Sequence, residues 1–62
     1  MNINTADAAE LDTLPGIGEV TAGDIIAFRE KNGPFKKPED IMKVPRIKQS
    51  RFDSIKDFII VD

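Results

Sequence analysis

An internal repeat constrains this 62-residue chain more than any other feature of its sequence. The segment LPGIGEVTA at 14–22 returns as VPRIKQSRF at 44–52, with the proline and the central isoleucine in the same places. Self-similarity at a fixed offset is the signature of one supersecondary unit built more than once. Apolar positions coincide when the sequence is shifted by 30 residues, so that Leu11 falls on Ile41, Leu14 on Val44, Ile17 on Ile47, Ala22 on Phe52 and Ile25 on Ile55. We therefore expect a short helix, a tight turn and a longer helix, formed twice.

The first copy begins with a recognisable helix start. Asp7 and Glu10 have the spacing of a capping box, in which each side chain accepts a hydrogen bond from the backbone of the other residue. Leu11 and Leu14 then lie on one helix face, and Pro15 ends the helix because it lacks an N–H group. The sequence predicts a short helix between Asp7 and Pro15.

A longer helix is predicted from about Glu19 to Asn32. Gly33 is able to take a left-handed conformation at its end, and Pro34 cannot continue the helix. The inward stripe of this helix is predicted to comprise Val20, Ala22, Ile25, Ile26 and Arg29.

The second copy starts at Pro38, a favoured first helical residue, and its short helix ends at Pro45. The last helix is predicted to run from Gln49 or Ser50 to Phe58. Inward-facing residues are expected to be Ile41, Met42, Val44, Phe52, Ile55 and Ile59. Strand signals are absent apart from a short extended end at 60–62, so the predicted class is all-α, with four to five short helices.

The residue inventory excludes several kinds of chemistry. The chain contains no histidine and no cysteine, which removes zinc sites, histidine-dependent catalytic dyads and triads, and disulfides. No apolar run approaches the roughly 18 residues of a membrane helix, and no signal peptide is visible. We predict no enzymatic activity, no cofactor, no metal site, no small-molecule substrate and no membrane contact by this segment.

Charge is distributed unevenly along the chain. Residues 1–28 hold five acidic residues and no Lys or Arg, whereas residues 29–62 hold all nine basic residues and six acidic ones, so the formal net charge is only −2. Asymmetry of this kind produces a polarised field, in which one part repels phosphate and the other attracts it.

The two glycines of GIG at 16–18 suggest a binding site made of backbone. Glycine adopts positive φ without steric cost and lets another molecule approach the main chain. The N-terminus of the following helix carries unpaired N–H groups and partial positive charge, which favour an anion. We interpret Gly16, Ile17 and Gly18 as a phosphate cradle, with Ile17 packed between the helices to hold the turn rigid.

These residues carry a resemblance to a known family. Leu11, Leu14, Gly16, Ile17, Gly18, Ala22, Ile25 and Ile26 fill every slot of the helix-hairpin-helix pattern. The stretch NINTADAAELDTLPGIGEVTAGDIIAFREKNGPF resembles the ComEA-like tandem helix-hairpin-helix domains of competence proteins, and the similarity covers nearly the whole chain. The resemblance implies a SAM-domain-like fold in a single domain over 1–62, with motifs at about 7–32 and 37–60.

The same resemblance implies sequence-independent binding of double-stranded DNA through its phosphate backbone, as in DNA uptake during transformation. It implies other competence proteins as further partners. It also implies a location on the extracellular face of the membrane, through an N-terminal anchor that these 62 residues do not include. The DNA-binding residues are expected to be Pro15, Gly16, Ile17, Gly18, Arg46, Ile47, Lys48 and Arg51.

The second hairpin departs from the family pattern, because Arg46 and Lys48 replace its glycines. In one reading, Arg46, Lys48 and Arg51 bind phosphate by charge in place of backbone donors. In the other, this copy only completes the core. If the turn keeps its shape, a non-glycine residue at positive φ costs roughly 1 kcal/mol or more.

Alternative functions stay open at this point. The chain could be a protein-interaction or structural module that kept the fold, which would suit its net acidity. The segment KVPRI at 43–47 also resembles Tex-like accessory domains that bind RNA or DNA. Four phenylalanines are expected in the core rather than as stacking platforms for bases, namely Phe28, Phe35, Phe52 and Phe58. Arg29 is expected to pack its stem or pair with an acid.

Overall fold

The helices follow the order expected from the repeat. The computed structural model describes residues 1–61. Its elements are α1 (Ala8–Leu11), α2 (Glu19–Asn32), the 3₁₀ helix η1 (Pro38–Lys43), α3 (Gln49–Ile55) and the 3₁₀ helix η2 (Lys56–Phe58). Residues 1–61 form no strand, and one isolated parallel bridge joins Asn2 to Ile60. The predicted all-α class is confirmed.

The capping box at the start of α1 is present. Asp7 Oδ1 accepts from the Glu10 N–H at 2.8 Å, and Glu10 Oε1 accepts from the Asp7 N–H at 3.0 Å. Helix α2 has the predicted bounds, and Gly33 after it has φ 89°. Its ψ of 173° is extended, so the predicted left-handed cap is wrong in detail. The Gly33 N–H nevertheless donates to the Arg29 carbonyl at 3.0 Å and closes the helix.

The second copy is wound more tightly than the first. Its short helix is a 3₁₀ helix over six residues, and its long helix is α-helical only to Ile55 before one 3₁₀ turn. Short helical pieces commonly take the i→i+3 pattern, and Pro38 at the first position has no N–H group to donate. The bonds from Asp40 N to Lys37 O and from Val44 N to Ile41 O, both 3.1 Å, have that spacing.

The hydrophobic core follows the repeat. All five pairs of equivalent apolar positions are buried, and one cluster contains Ile3, Ala6, Leu11, Leu14, Ile17, Ala22, Ile25, Phe35, Ile41, Val44, Ile47, Phe52, Ile55 and Ile59. Full burial of such a side chain contributes about 1.5–3 kcal/mol. Ile26, Phe28 and Met42 pack against this cluster while partly exposed.

Two core predictions are wrong. Val20 is 63% exposed because it lies in the first turn of α2, ahead of the packed part of the helix. Phe58 is 56% exposed, because the 3₁₀ turn that replaces the end of α3 brings Ile59 into the core instead. Phe58 lines a shallow cleft with Met1, Leu14 and Pro15.

Polar contacts join distant parts of the chain. The Asn4 side chain bonds both backbone groups of Phe35, accepting from its N–H at 2.7 Å and donating to its carbonyl at 3.0 Å. Arg29 Nη1 donates to the Ile3 carbonyl at 2.9 Å, which is a structural role. The ends meet where the Ile3 N–H donates to the Ile60 carbonyl at 3.1 Å. Among residues 1–61, no helix has the length and apolarity needed to cross a membrane.

Candidate nucleic-acid interface

The first hairpin is a tight turn between α1 and α2. The Ile17 N–H donates to the Leu14 carbonyl at 3.0 Å, with Pro15 and Gly16 between them. Gly16 has φ 73°. Proline followed by a positive-φ residue is the arrangement of a type II turn, which favours glycine at the second of these positions. Ile17 is buried, as predicted, and anchors the turn to the core.

The second hairpin has the same backbone. The Ile47 N–H donates to the Val44 carbonyl at 3.2 Å, and Arg46 has φ 75°. Lys48 precedes α3 with φ −106° and ψ −176°, against −102° and −173° for Gly18 before α2. Replacing the glycines has therefore left the turn intact, although an L-residue in the left-handed region costs roughly 1–2 kcal/mol.

The two glycines of the first hairpin serve different purposes. Gly16 needs its conformational freedom because its φ is positive. Gly18 does not, since Lys48 adopts the same backbone angles in the equivalent position. A Cβ added at Gly18 would meet no heavy atom within 4 Å among residues 1–61. The fold thus tolerates a side chain at position 18. Because Gly18 has none, a ligand can approach the backbone closely there.

The available donors differ from the predicted cradle. The Ile17 amide is used inside the turn, and the Ile17 and Ile47 side chains are buried, so these two residues shape the hairpins from within. Within residues 1–61, the amides of Gly16 and Gly18 have no hydrogen-bond acceptor. No side chain caps α2, whose first N–H groups also lack intrahelical partners. The open donors of the first hairpin are therefore Gly16, Gly18 and the first turn of α2.

Arg51 lies against the first hairpin, although its sequence position follows the second. A Cβ placed on Gly16 would overlap Nη1 of Arg51 and would lie 2.9 Å from its Cζ. The side chain thus runs from α3, in the second copy, to the turn of the first copy. The hairpin in the acidic half of the sequence gains a cation from the basic half.

Arg46 is paired with an acid. Its Nη1 donates to Oδ2 of Asp24 at 2.7 Å, which is a hydrogen bond and an ion pair between the second hairpin and helix α2. The Arg46 side chain is 59% exposed and that of Asp24 is 28% exposed. The only other ion pair among residues 1–61 joins Lys43 to Asp40 at 3.7 Å. Lys48 is exposed and has no acidic partner in that part of the chain.

Sequence reasoning did not find these contacts between the copies. It placed Arg51 with the second hairpin and predicted no partner for Asp24. No sequence signal marks either contact, because the 30-residue shift places Arg51 on Thr21 and Asp24 on Ser54, and neither pair has matching chemistry. Residues 1–61 contain no group of three or more acidic side chains placed to hold a metal ion.

Comparison with known proteins agrees with this geometry. The family model for the helix-hairpin-helix motif matches residues 1–60. The chain belongs to the helix-hairpin-helix family. Among its relatives is ComE operon protein 1 of Bacillus subtilis, 48% identical over 61 residues, which are 98% of this chain and 30% of that protein. This match confirms the resemblance to ComEA-like helix-hairpin-helix domains.

Other relatives of this chain come from animals. Endonuclease/exonuclease/phosphatase family domain-containing protein 1 is 42% identical in Danio rerio over 62 residues and 41% identical in Homo sapiens over 61 residues. The match covers 100% and 98% of this chain, but 11% of each relative. The chain spans 30% or less of the length of these curated relatives.

Proposed function

We propose that this domain binds double-stranded DNA without sequence preference, through phosphate contacts made by its two hairpins. The observation that carries the proposal is the first hairpin. It combines the open amides of Gly16 and Gly18, the uncapped N-terminus of the 14-residue helix α2 and the Arg51 guanidinium at one turn. Backbone donors at a helix N-terminus suit an anion, and an arginine beside them adds a full positive charge.

The absence of a side chain at Gly18 supports a close ligand approach. The fold accepts lysine with the same backbone angles in the second hairpin, so folding alone does not require glycine here. A bulky residue at this position would stand between the open amides and a phosphate. Contacts of this kind orient a protein on DNA and carry no sequence information, which is why we propose non-specific binding.

The second hairpin is proposed to contact DNA through side chains. Arg46 and Lys48 lie at the positions equivalent to Gly16 and Gly18, on a turn of the same shape, and both are exposed. The second hairpin has no glycine, so its side chains keep a phosphate from approaching the backbone closely. Arginine and lysine are common phosphate partners, so the second hairpin would add charge rather than amide donors.

Family membership supports a DNA-binding role in general terms. By the resemblance to ComEA-like domains, we place this binding in DNA uptake during competence, alongside other competence proteins and at the extracellular face of the membrane. We propose a binding rather than a catalytic function, because the chain contains neither histidine nor cysteine. The proposal concerns this domain, which spans a minor part of its relatives.

The test is a fluorescence anisotropy titration with duplexes of several unrelated sequences at two salt concentrations. We expect comparable dissociation constants for all duplexes, in the range of about 10⁻⁴ to 10⁻⁶ M near physiological salt, with weaker binding as salt rises. Competition with single-stranded DNA and with RNA duplexes tests the preference for duplex DNA. Absence of binding at low salt by folded protein would refute the proposal and favour a protein-interaction role.

A substitution at Gly18 tests the first hairpin directly. Gly18→Leu should weaken duplex binding severalfold while the helical circular dichroism stays unchanged, because the Cβ has free space in the fold. The control is Ala9→Leu, which places the same leucine side chain at an exposed position of α1. If both variants bind as tightly as the parent, the first hairpin does not contact DNA.

A further inference from the structure

We infer that Asp24 competes with DNA phosphate for Arg46 and so holds the second hairpin below its full binding strength. This inference rests on the proposed function, because it concerns how strongly one of the two hairpins binds. It assigns a role to an acidic residue on α2, an element of the first copy. The competing contact is the ion pair between the two residues, and both partners lie on the surface.

The pair is short and well defined. Arg46 Nη1 and Asp24 Oδ2 are 2.7 Å apart, a distance typical of a charge-assisted hydrogen bond. Arg46 lies at the positive-φ position of its turn, the position that Gly16 occupies in the first hairpin. From this position the guanidinium would reach a phosphate bound at the second hairpin. In the structure it is directed to the carboxylate of Asp24 instead.

A phosphate oxygen and the Asp24 carboxylate compete for the same donor. An N–H group of Arg46 that bonds Asp24 is not available to phosphate in the same geometry. If phosphate displaces the carboxylate, two anions lie near one guanidinium, and their repulsion offsets part of the gain. Because Arg46 is 59% exposed, the pair is weak enough for a polyanion to displace it, so Asp24 reduces affinity without abolishing it.

Competition between an acidic side chain and phosphate applies to the second hairpin only. Arg51 at the first hairpin and Lys48 at the second have no acidic partner among residues 1–61. The residue equivalent to Asp24 in the second copy is Ser54, a neutral side chain whose hydroxyl donates to the Ser50 carbonyl at 3.2 Å. Asp24 therefore distinguishes the two hairpins, and Arg46 is the cation that it restrains.

The experiment is a double-mutant cycle on duplex binding, with the parent, Asp24→Asn, Arg46→Ala and the double variant. Asparagine keeps the shape of Asp24 and can still accept a hydrogen bond, so the turn should be retained. We expect Asp24→Asn to tighten binding about two- to fivefold, the range that corresponds to an exposed ion pair. The slope of log affinity against log salt should steepen by up to about one unit, as one more phosphate contact forms.

The coupling between the two positions decides the result. Arg46→Ala should weaken binding less in the parent than in the Asp24→Asn background, and without Arg46 the gain from Asp24→Asn should shrink to the size that the Glu30→Gln control gives, which makes the cycle non-additive. The charge control is Glu30→Gln, which removes one exposed negative charge from the same helix without touching Arg46. Glu30→Gln should increase duplex affinity less than Asp24→Asn does, and by the same factor with and without Arg46.

Two outcomes would overturn the inference, and they are distinguishable. If Asp24→Asn tightens binding equally with and without the Arg46→Ala substitution, Asp24 acts by general repulsion and does not restrain Arg46. If neither the parent nor any variant binds duplex DNA at low salt while all remain folded, the proposed function fails, and this inference fails with it.

Discussion

Gly16 and Arg46 occupy equivalent turn positions with φ 73° and 75°, and they reach this conformation at different cost. Glycine has no Cβ to collide with the following carbonyl, whereas arginine does. The second hairpin keeps its turn because Ile47 is fully buried and its amide closes the turn to Val44. The core thus holds Arg46 in a conformation that its own residue type disfavours.

This strain predicts a stabilising substitution. Arg46→Gly should unfold at a higher temperature than Arg46→Ala, with a free energy of unfolding about 1 kcal/mol larger. The reason is that glycine adopts the positive φ of this position without the steric strain that a Cβ causes. Comparing the two variants with each other cancels the loss of the Asp24 ion pair, which both lack. Thermal and urea denaturation monitored by circular dichroism measures the difference. Equal stability would show that the turn carries no such strain.

At the scale of helices and turns, the sequence predicts what depends on local pattern. The capping box of α1, the bounds of α2 and the buried pairs of the repeat all follow from spacing and from residues that start or stop helices. The 3₁₀ form of η1 and the exposure of Phe58 do not, because both depend on how a short helix end packs.

The candidate site divides in the same way. The turn shapes and the buried isoleucines are predictable within one copy, whereas the positions of Arg51 and Asp24 are set by packing between copies. Each side chain reaches the hairpin of the other copy, and a linear pattern does not encode which neighbour it meets. The sequence therefore indicates two hairpins but not which charges each one presents.

Because the Arg51 side chain lies against the first hairpin, we expect its removal to weaken the DNA contact of the first hairpin and not that of the second. Arg51→Ala should weaken duplex binding and flatten the slope of log affinity against log salt by about one unit, since one cation at the first hairpin is lost. In the Gly18→Leu background, Arg51→Ala should have less effect, because both changes act on one site.

The control for this variant is Lys56→Ala, an exposed lysine in η2 that makes no ion pair among residues 1–61. It should change affinity less than Arg51→Ala does. If the two variants have equal effects in the parent and in the Gly18→Leu background, Arg51 contributes only to the general field of the protein.

At the scale of the whole molecule, a small domain depends on contacts that join its copies. The described residues extend over 23 × 21 × 19 Å, so the core holds few layers of side chains. The Asn4 side chain adds two hydrogen bonds to Phe35, in the segment that links the copies. Phe35 in turn stacks on Phe28 of α2, with ring centroids 5.5 Å apart. Asn4 thus ties the N-terminal segment to the connection between the two motifs.

Removing this tie should destabilise the whole domain. Asn4→Ala should lower the free energy of unfolding by about 2 kcal/mol, since two partly buried backbone groups lose their partner. For a domain of this size, the melting temperature should fall by roughly 10 °C. The control is Thr5→Ala, which removes an exposed hydroxyl whose contact with Asn2 is long, at 3.5 Å. A similar melting temperature for both variants would contradict the role of Asn4.

The hydrogen bonds that join Met1 and Ile3 to Ile60 bring the two ends of the described chain side by side. Because the ends are close, the fold is compatible with circular permutation, in which the second motif would precede the first along the chain. A short peptide joining the ends would leave both hairpins untouched, and the chain could then be opened between the exposed Lys36 and Lys37. Because the two ends are close together, the domain could also be inserted into a surface loop of a host protein without moving the two ends of that loop far apart.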